Sequence, residues 1–445
     1  MINVPTVQKE KKDRGENPFS KTFSEEMQAH FEGIVSLYNQ WNRLVSSRNI
    51  ALYPETSTAK FLAASDAYIE RLGATKTQDR IDGILITELQ ERAEIMKLEM
   101  ELPTYKKFDY EKLIRCFGIS SNDVKGLEQH FRAINYNEVA ERWISINGES
   151  YTSKPESSDR ELSRLKDIYQ KLLRASYGIA SSDSKESFPD FDSYMASIQF
   201  INNREGGSYQ SSDKVFYNLY DTQMMNIRDG LRYRKVVDVF NASDLIGEEG
   251  LLGHQGQFLV NEKANIPHFL KQYFNPATTI NAETLGNVGS LRMVRMLESN
   301  PLIIDGIADK DFEFLKARFN TNSENGSVNR FMRGYESYAY FENDRDAKRT
   351  AAVINSIVKT PVVTSEEFTN SIGTYYNSNE FWKNPRKDLK VWAYLFADLM
   401  TEKIGNTLDV LEGVSANKIL DNLQIGFWTK KGFEQYFDYL VERFG

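Results

Sequence analysis

Apolar residues recur along most of this chain at the alternating three-and-four spacing of amphipathic helices. From Ser24 onward, Met27, Phe31, Ile34, Tyr38, Trp41 and Val45 put one apolar stripe on one helix face. Thr22 and Glu25 stand in front of it at capping-box spacing. A second helix is predicted over 57–72, ended by Gly73, and a third over 78–101 through Ile81, Leu85, Leu89, Met96 and Met100, ended by Pro103. Shorter patterns over 110–117, 123–134 and 138–146 complete a bundle by periodicity alone. Past the polar run 147–159, Leu162, Leu165, Tyr169 and Leu172 share a face of a helix that Gly178 is expected to close.

The middle of the chain is punctuated by polar breaks at 181–190 and 202–213, and by a polar loop at 320–329. Between the first two breaks and that loop the period is mixed. Phe216, Leu219, Met224, Ile227 and Leu231 suit a helix, whereas Val236, Val237 and Val239 suit the start of a strand. Helices are predicted over 258–274 with an interruption near Pro267, over 291–297, 311–319 and 346–358, and over 389–404, 416–423 and 431–444. The last of these carries Phe433, Phe437, Leu440, Val441 and Phe444 at helical spacing. The expected fold is mainly α, a multi-domain helical bundle with at most minor β content. The expected division is a flexible N-terminal arm over 1–20, a helical domain over 21–147, a mixed but mostly helical domain over 160–345, and a C-terminal helical domain over 346–445.

Composition narrows the function classes. The chain has 445 residues, enough for two or three domains at roughly 100–200 residues each. Lys and Arg number 55 against 63 Asp and Glu, a net charge of −8, which argues against general nucleic-acid binding. Arg330, Arg333, Tyr335, Tyr338 and Tyr340 form a basic-aromatic run, but Glu336, Glu342, Asp344 and Asp346 stand beside it. One cysteine, Cys116, leaves no intramolecular disulfide and no cysteine-rich zinc site. No apolar run reaches the ~18 residues of a membrane span, and the first residues lack the apolar core of a secretory signal. The expected location is a virion or the cytoplasm. Aromatics make up 12%, which favours large packed surfaces in a core or between subunits.

Candidate chemistry is sparse. There is no phosphate-binding GxxxxGK[ST] loop, no dinucleotide GxGxxG and no GxSxG nucleophile elbow. Leu285-Gly286-Asn287-Val288-Gly289 holds a lone GxxG. The four histidines are His30, His130, His254 and His268; His30 is expected on the polar side of the first helix. His254 ends the run Gly250-Leu251-Leu252-Gly253-His254. A helical zinc peptidase sets two histidines at i and i+4 with a glutamate base after the first. Here Gly250 and Leu251 occupy the places of the first ligand and the base, and Glu248 and Glu249 lie off that face.

Together with Phe381, Trp382, Pro385, Asp388, Leu389, Ala393 and Tyr394 downstream, GLLGH resembles the zincin-like domains of large polyvalent proteins of phages and related mobile elements. In those domains an H-E-x-G-H helix is followed by a segment of the type Y-W-x-x-P-x-E-L-x-A-R-A-F that supplies an acid. The resemblance implies a scaffold of that kind, without the first histidine or the base, and with Asp388 in place of the glutamate.

The first expectation is therefore a non-enzymatic structural or assembly protein, such as a virion component, with no cofactor. It would pack against copies of itself or other subunits, with Phe433, Phe437, Phe444 and Trp382 at the interface. The second is an unusual zinc-dependent peptidase-like protein, with metal ligands among His254, His268, Asp388, Glu249 and Glu283. A third is a host-directed effector or binding module.

Overall fold

The computed structural model describes residues 18–48, 55–101, 159–183, 188–202, 208–210, 214–219, 234–271, 278–299 and 414–445, with single positions and short runs between 397 and 411. These residues are predominantly helical, as the periodicity predicts. Helix α1 (Glu25–Arg48) buries Met27, Phe31, Ile34, Leu37 and Trp41, the predicted stripe. Its cap is Ser24 rather than Thr22. The Ser24 hydroxyl accepts the Met27 N–H at 3.2 Å and the Ser24 carbonyl accepts the Gln28 N–H at 3.0 Å. Helix α2 (Glu55–Ala74) runs on through Gly73, and α3 (Arg80–Glu101) buries Ile81, Leu85, Leu89, Met96 and Met100.

His30 departs from its expected place on a polar face. It is buried between α1 and α2, with Nε2 2.9 Å from the Thr75 hydroxyl and its carbonyl accepting the Tyr68 hydroxyl at 2.7 Å. A polar side chain can lie within a helical stripe when neighbours supply its hydrogen bonds.

Helix α4 (Asp159–Asp183) continues past Gly178, because a single glycine inside a helix costs only about 1 kcal/mol. Helix α5 (Phe191–Ser197) leads into the one sheet among the described residues, which has three strands in the order β1-β3-β2. Strand β1 (Ile198–Ile201) pairs in parallel with β3 (Val215–Asn218), Ile198 opposite Val215, and β2 (Tyr209–Gln210) pairs antiparallel with β3.

Period alone leaves the mixed stretch open between helix and strand, and the structure describes its two ends. The strand lies at Val215–Asn218, where Val215 and Tyr217 are buried on alternate positions. The valine-rich part is helix α6 (Arg234–Glu249), with Val239, Ala242 and Ile246 buried at helical spacing. Packing against α4 and the later helix α8 (Thr279–Ser299) outweighs the modest β preference of valine.

Helix α7 (His254–Lys263) is followed by a 3₁₀ turn (His268–Lys271), so the helix predicted over 258–274 is shorter and starts earlier. Helix α8 begins well before the predicted 291–297, because its first half is lined with buried Asn281, Thr284, Asn287 and Ser290, which hide the apolar period. It crosses α6 at glycine contact. A Cβ on Gly289 would lie 2.1 Å from the Gly247 carbonyl oxygen, and the Ser290 hydroxyl bonds the Asp244 carbonyl at 2.9 Å. Helices α9 (Val414–Leu423) and α10 (Lys430–Phe444) end the chain.

The aromatic face of α10 points inward. Phe433, Tyr436, Phe437 and Leu440 are fully buried and Phe444 nearly so, so Phe433, Phe437 and Phe444 are core residues rather than an exposed interface. Trp428 stacks on Tyr436 at 4.7 Å between ring centroids, and Phe19 closes the group at 5.5 and 5.4 Å from the two. Helical spacing shows that these residues share a face; α3, α9 and Phe19 are what cover it. Phe19, inside the stretch read as an arm, is fully buried. Residues from all three predicted helical segments, 21–147, 160–345 and 346–445, join one contiguous hydrophobic core. The boundaries at 147 and at 345–346, Trp382 and Asp388 lie outside the described residues. Among the described residues no helix is long and apolar enough to cross a membrane.

Candidate metal centre

Three elements converge on His254. Helix α6 stops at Glu249, and residues 250–253 form a turn closed by the Gly253 N–H on the Gly250 carbonyl at 3.0 Å. Gln424, just past α9, fastens this turn from outside by donating to the Leu252 carbonyl at 3.1 Å. His254 is the first residue of α7, with Gly253 at the cap. The face of a two-histidine zinc helix needs unbroken helix through these positions, and here the chain turns instead.

The turn brings Glu248 round to His254. Glu248, His254 and Glu283, the last from the second turn of α8, each offer one ligand atom, and the three atoms lie within 4.8 Å of one another. His254 Nε2 and Glu283 Oε2 are 3.9 Å apart, with side-chain exposures of 16% and 12%. Water can therefore reach the group from one side. Gln257, one turn along α7 and buried, fixes the imidazole: its amide oxygen lies 3.1 Å from Nδ1. An amide oxygen only accepts, so Nδ1 carries the hydrogen and the lone pair of a neutral ring sits on Nε2, towards the carboxylates.

The floor of the group is Gly286, three residues after Glu283 on the same face of α8. A Cβ at that position would lie 3.0 Å from His254 Nε2 and 3.1 Å from Glu248 Cγ. The space beside the open ring nitrogen exists because this helical position has no side chain.

The electrostatics call for a cation. Burial, the largest single influence on His254, works against a charged ring. The carboxylates of Glu283, Glu249 and Glu248, with the bond to Gln257, outweigh it and raise the histidine pKa above its usual 6.5. One imidazole nitrogen and two carboxylate oxygens are also a ligand set that suits divalent transition ions, and the acceptor on Nδ1 is the outer partner that commonly orients a ligating histidine.

Of the residues singled out from sequence, His254 and Glu283 come together, and Glu249 is near enough for its charge to act on His254. His268 does not join them: it is exposed, in the 3₁₀ turn, and lines a surface cleft with Phe19, Phe23, Phe31 and Pro267. Glu248 was excluded by helical spacing, an exclusion that holds only if the helix continues through 250–253. Gln257 and Gly286 carried no distinguishing signal beyond their nearness to His254 and to a lone GxxG.

Replacing Gly286 with alanine should press on His254 Nε2 and on Glu248 while improving helix propensity by about 0.5–1 kcal/mol. The expected result is a variant at least as resistant to urea as the wild type, with clearly weaker metal binding in a calorimetric titration. Unchanged metal affinity would show that this space is not used. No protein-family model matches the chain, and no curated protein or solved structure matches it significantly.

Proposed function

We propose that this chain is a divalent-metal protein whose centre is His254, Glu248 and Glu283, with zinc the best-suited ion. The observation that supports this reading most is the convergence of a bare Nε2, two carboxylates and the side-chain-free Gly286 on one point. Three protein ligands on a partly exposed rim leave a coordination position for water or a substrate oxygen. That is the arrangement of catalytic zinc sites rather than of closed structural ones. The chemistry such an ion supplies is polarisation of a bound oxygen.

This reading keeps the metal-dependent expectation drawn from the sequence but changes its geometry. The ligands come from the end of α6, the start of α7 and the face of α8, and not from one helix.

The test is metal analysis and calorimetry on the full chain after chelator treatment. One zinc per chain is the expected stoichiometry, and no binding above that of a surface-carboxylate control would overturn the proposal. Binding should also depend on pH with a defined sign. The His254 pKa is raised, so a proton competes for Nε2, and metal affinity should fall as pH drops through that raised value and level off above it. Titrations in two buffers of different ionisation enthalpy should show release of a proton on binding near neutrality. In the metal-free chain the same proton contributes stability below the unfolded-state value of 6.5, and this is lost as pH rises through the folded value.

A further inference from the structure

A second group of buried acids lies away from the metal centre, where α3 meets the start of α10. Glu88 and Glu91, one helical turn apart on α3, both reach the hydroxyl of Thr429, with Thr429 Oγ1 2.5 Å from Glu88 Oε2 and 2.5 Å from Glu91 Oε2. All three residues are almost completely buried. A threonine hydroxyl has one hydrogen and can donate to only one of two carboxylates. If both acids were ionised, one of these contacts would set oxygen against oxygen with no hydrogen between them.

The surroundings decide which acid holds a proton. Glu88 is matched as an anion: Arg92 Nε donates to it at 2.6 Å and the Thr429 N–H at 2.9 Å. Glu91 receives the Lys431 N–H at 2.8 Å on Oε2, while its Oε1 is buried with no hydrogen-bond partner. Of the cations nearby, Arg92 also bonds the carbonyls of Phe269 and Phe427 and Lys430 Nζ pairs with Glu434 at 3.3 Å, while the charge of Lys431 acts on Glu91 and favours its anion without outweighing burial.

We propose that Glu88 and Glu91 share one proton through the Thr429 hydroxyl, and that this proton clamps the start of α10 onto α3. Glu91 Oε2–H donates to Thr429 Oγ1, whose own hydrogen goes to Glu88 Oε2. Release of that proton to solvent leaves two carboxylates facing one donor and loosens the Thr429–Gly432 segment. Gly432 belongs to the same contact, since a Cβ there would lie 2.1 Å from Glu88 Oε2.

Burial, reinforced by the neighbouring Glu88 and opposed by the bond to Thr429 and by the N–H and charge of Lys431, pushes the Glu91 carboxyl up to about 7, from 4.5. The sign follows. The folded chain binds this proton more tightly than the unfolded chain, so the clamp contributes stability that falls as pH rises between those two values. The device is a proton-sensitive latch on the C-terminal helix, operating in the neutral range.

Infrared absorption of the intact chain tests it. In the difference between the wild-type and Glu91→Gln spectra, one protonated-carboxyl stretching band should be present at about pH 6, above the range where exposed acids titrate, and should disappear towards about pH 9. The difference in melting temperature between Glu91→Gln and the wild type should widen in favour of the variant over the same range. Taking that difference removes the contribution of His254, which is common to both. A Glu88→Gln variant should lose the band at lower pH, because the remaining acid no longer has an anionic partner. A wild-type chain with no titrating carboxyl band would overturn the proposal without reference to any variant. So would a difference spectrum between the wild type and Glu91→Gln that lacks that band, or parallel melting profiles for the two proteins.

Discussion

Replacing His254 with alanine is expected to abolish stoichiometric zinc binding. The side chain supplies the only nitrogen donor of the group, and what remains is Glu248 and Glu283, two carboxylates that a transition ion does not prefer over water and buffer. Loss of an outer partner typically costs about 10–100-fold in metal affinity, so loss of a ligand should exceed that. Gln257→Ala provides the graded comparison. It keeps every ligand but frees Nδ1, and its affinity should fall within that 10–100-fold range. The measurement is a zinc titration against a competing chelator, with far-ultraviolet circular dichroism to confirm the fold. Equal affinity in wild type and His254→Ala would remove the metal centre from consideration. A fall in His254→Ala with no effect of Gln257→Ala would keep the ligand and discard the orienting role of the amide.

The second large effect concerns Arg92, which ties three parts of the chain together. Its guanidinium pairs with Glu88 on its own helix, donates to the Phe269 carbonyl at 2.9 Å, and reaches the Phe427 carbonyl. It is 3% exposed and Glu88 is not exposed at all. Arg92→Ala would leave a buried carboxylate without its counter-charge and would take the guanidinium's hydrogen bonds from the Phe269 and Phe427 carbonyls. Breaking a buried pair in this way costs about 3–5 kcal/mol. The expected observation is a large drop in the midpoint of urea unfolding with little change in slope. Arg92→Lys should recover only part of it, since an ammonium cannot present the planar fork that serves three acceptors at once. A shift in the midpoint within the range of an ordinary surface substitution would show that the pair is not needed to hold the 3₁₀ turn and the 427–429 segment on α3.

Much of the frame was legible before any coordinates. The stripes of α1, α3, α4 and α10 followed from apolar spacing, because a helix that buries one face must repeat near 3.6 residues whatever it packs against. Misreadings arose where that rule loses its signal. The first half of α8 is packed with small and polar residues at a close helix crossing, so it shows no apolar period. At Val236, Val237 and Val239 period left helix and strand open, and packing of that segment on α4 and α8 settles it as helix. The burial of the α10 aromatics was also not readable, since periodicity says which residues share a face and nothing about what lies opposite.

His254 marks the division most clearly. The sequence by itself determined a mainly helical chain, singled out His254 among four histidines, and placed Glu249 and Glu283 among its candidate partners. It also established that no second histidine stands at ligand spacing, and that remains true. Only the tertiary structure decided that the chain breaks its helix between Glu249 and His254, and that α8 crosses α6 closely enough to bring Glu283 and Gly286 to the same point. The physical reason is one of range. Helix periodicity is written in neighbours three or four residues apart, whereas a site built from positions 248, 254 and 283 depends on a turn and a crossing that no local spacing encodes.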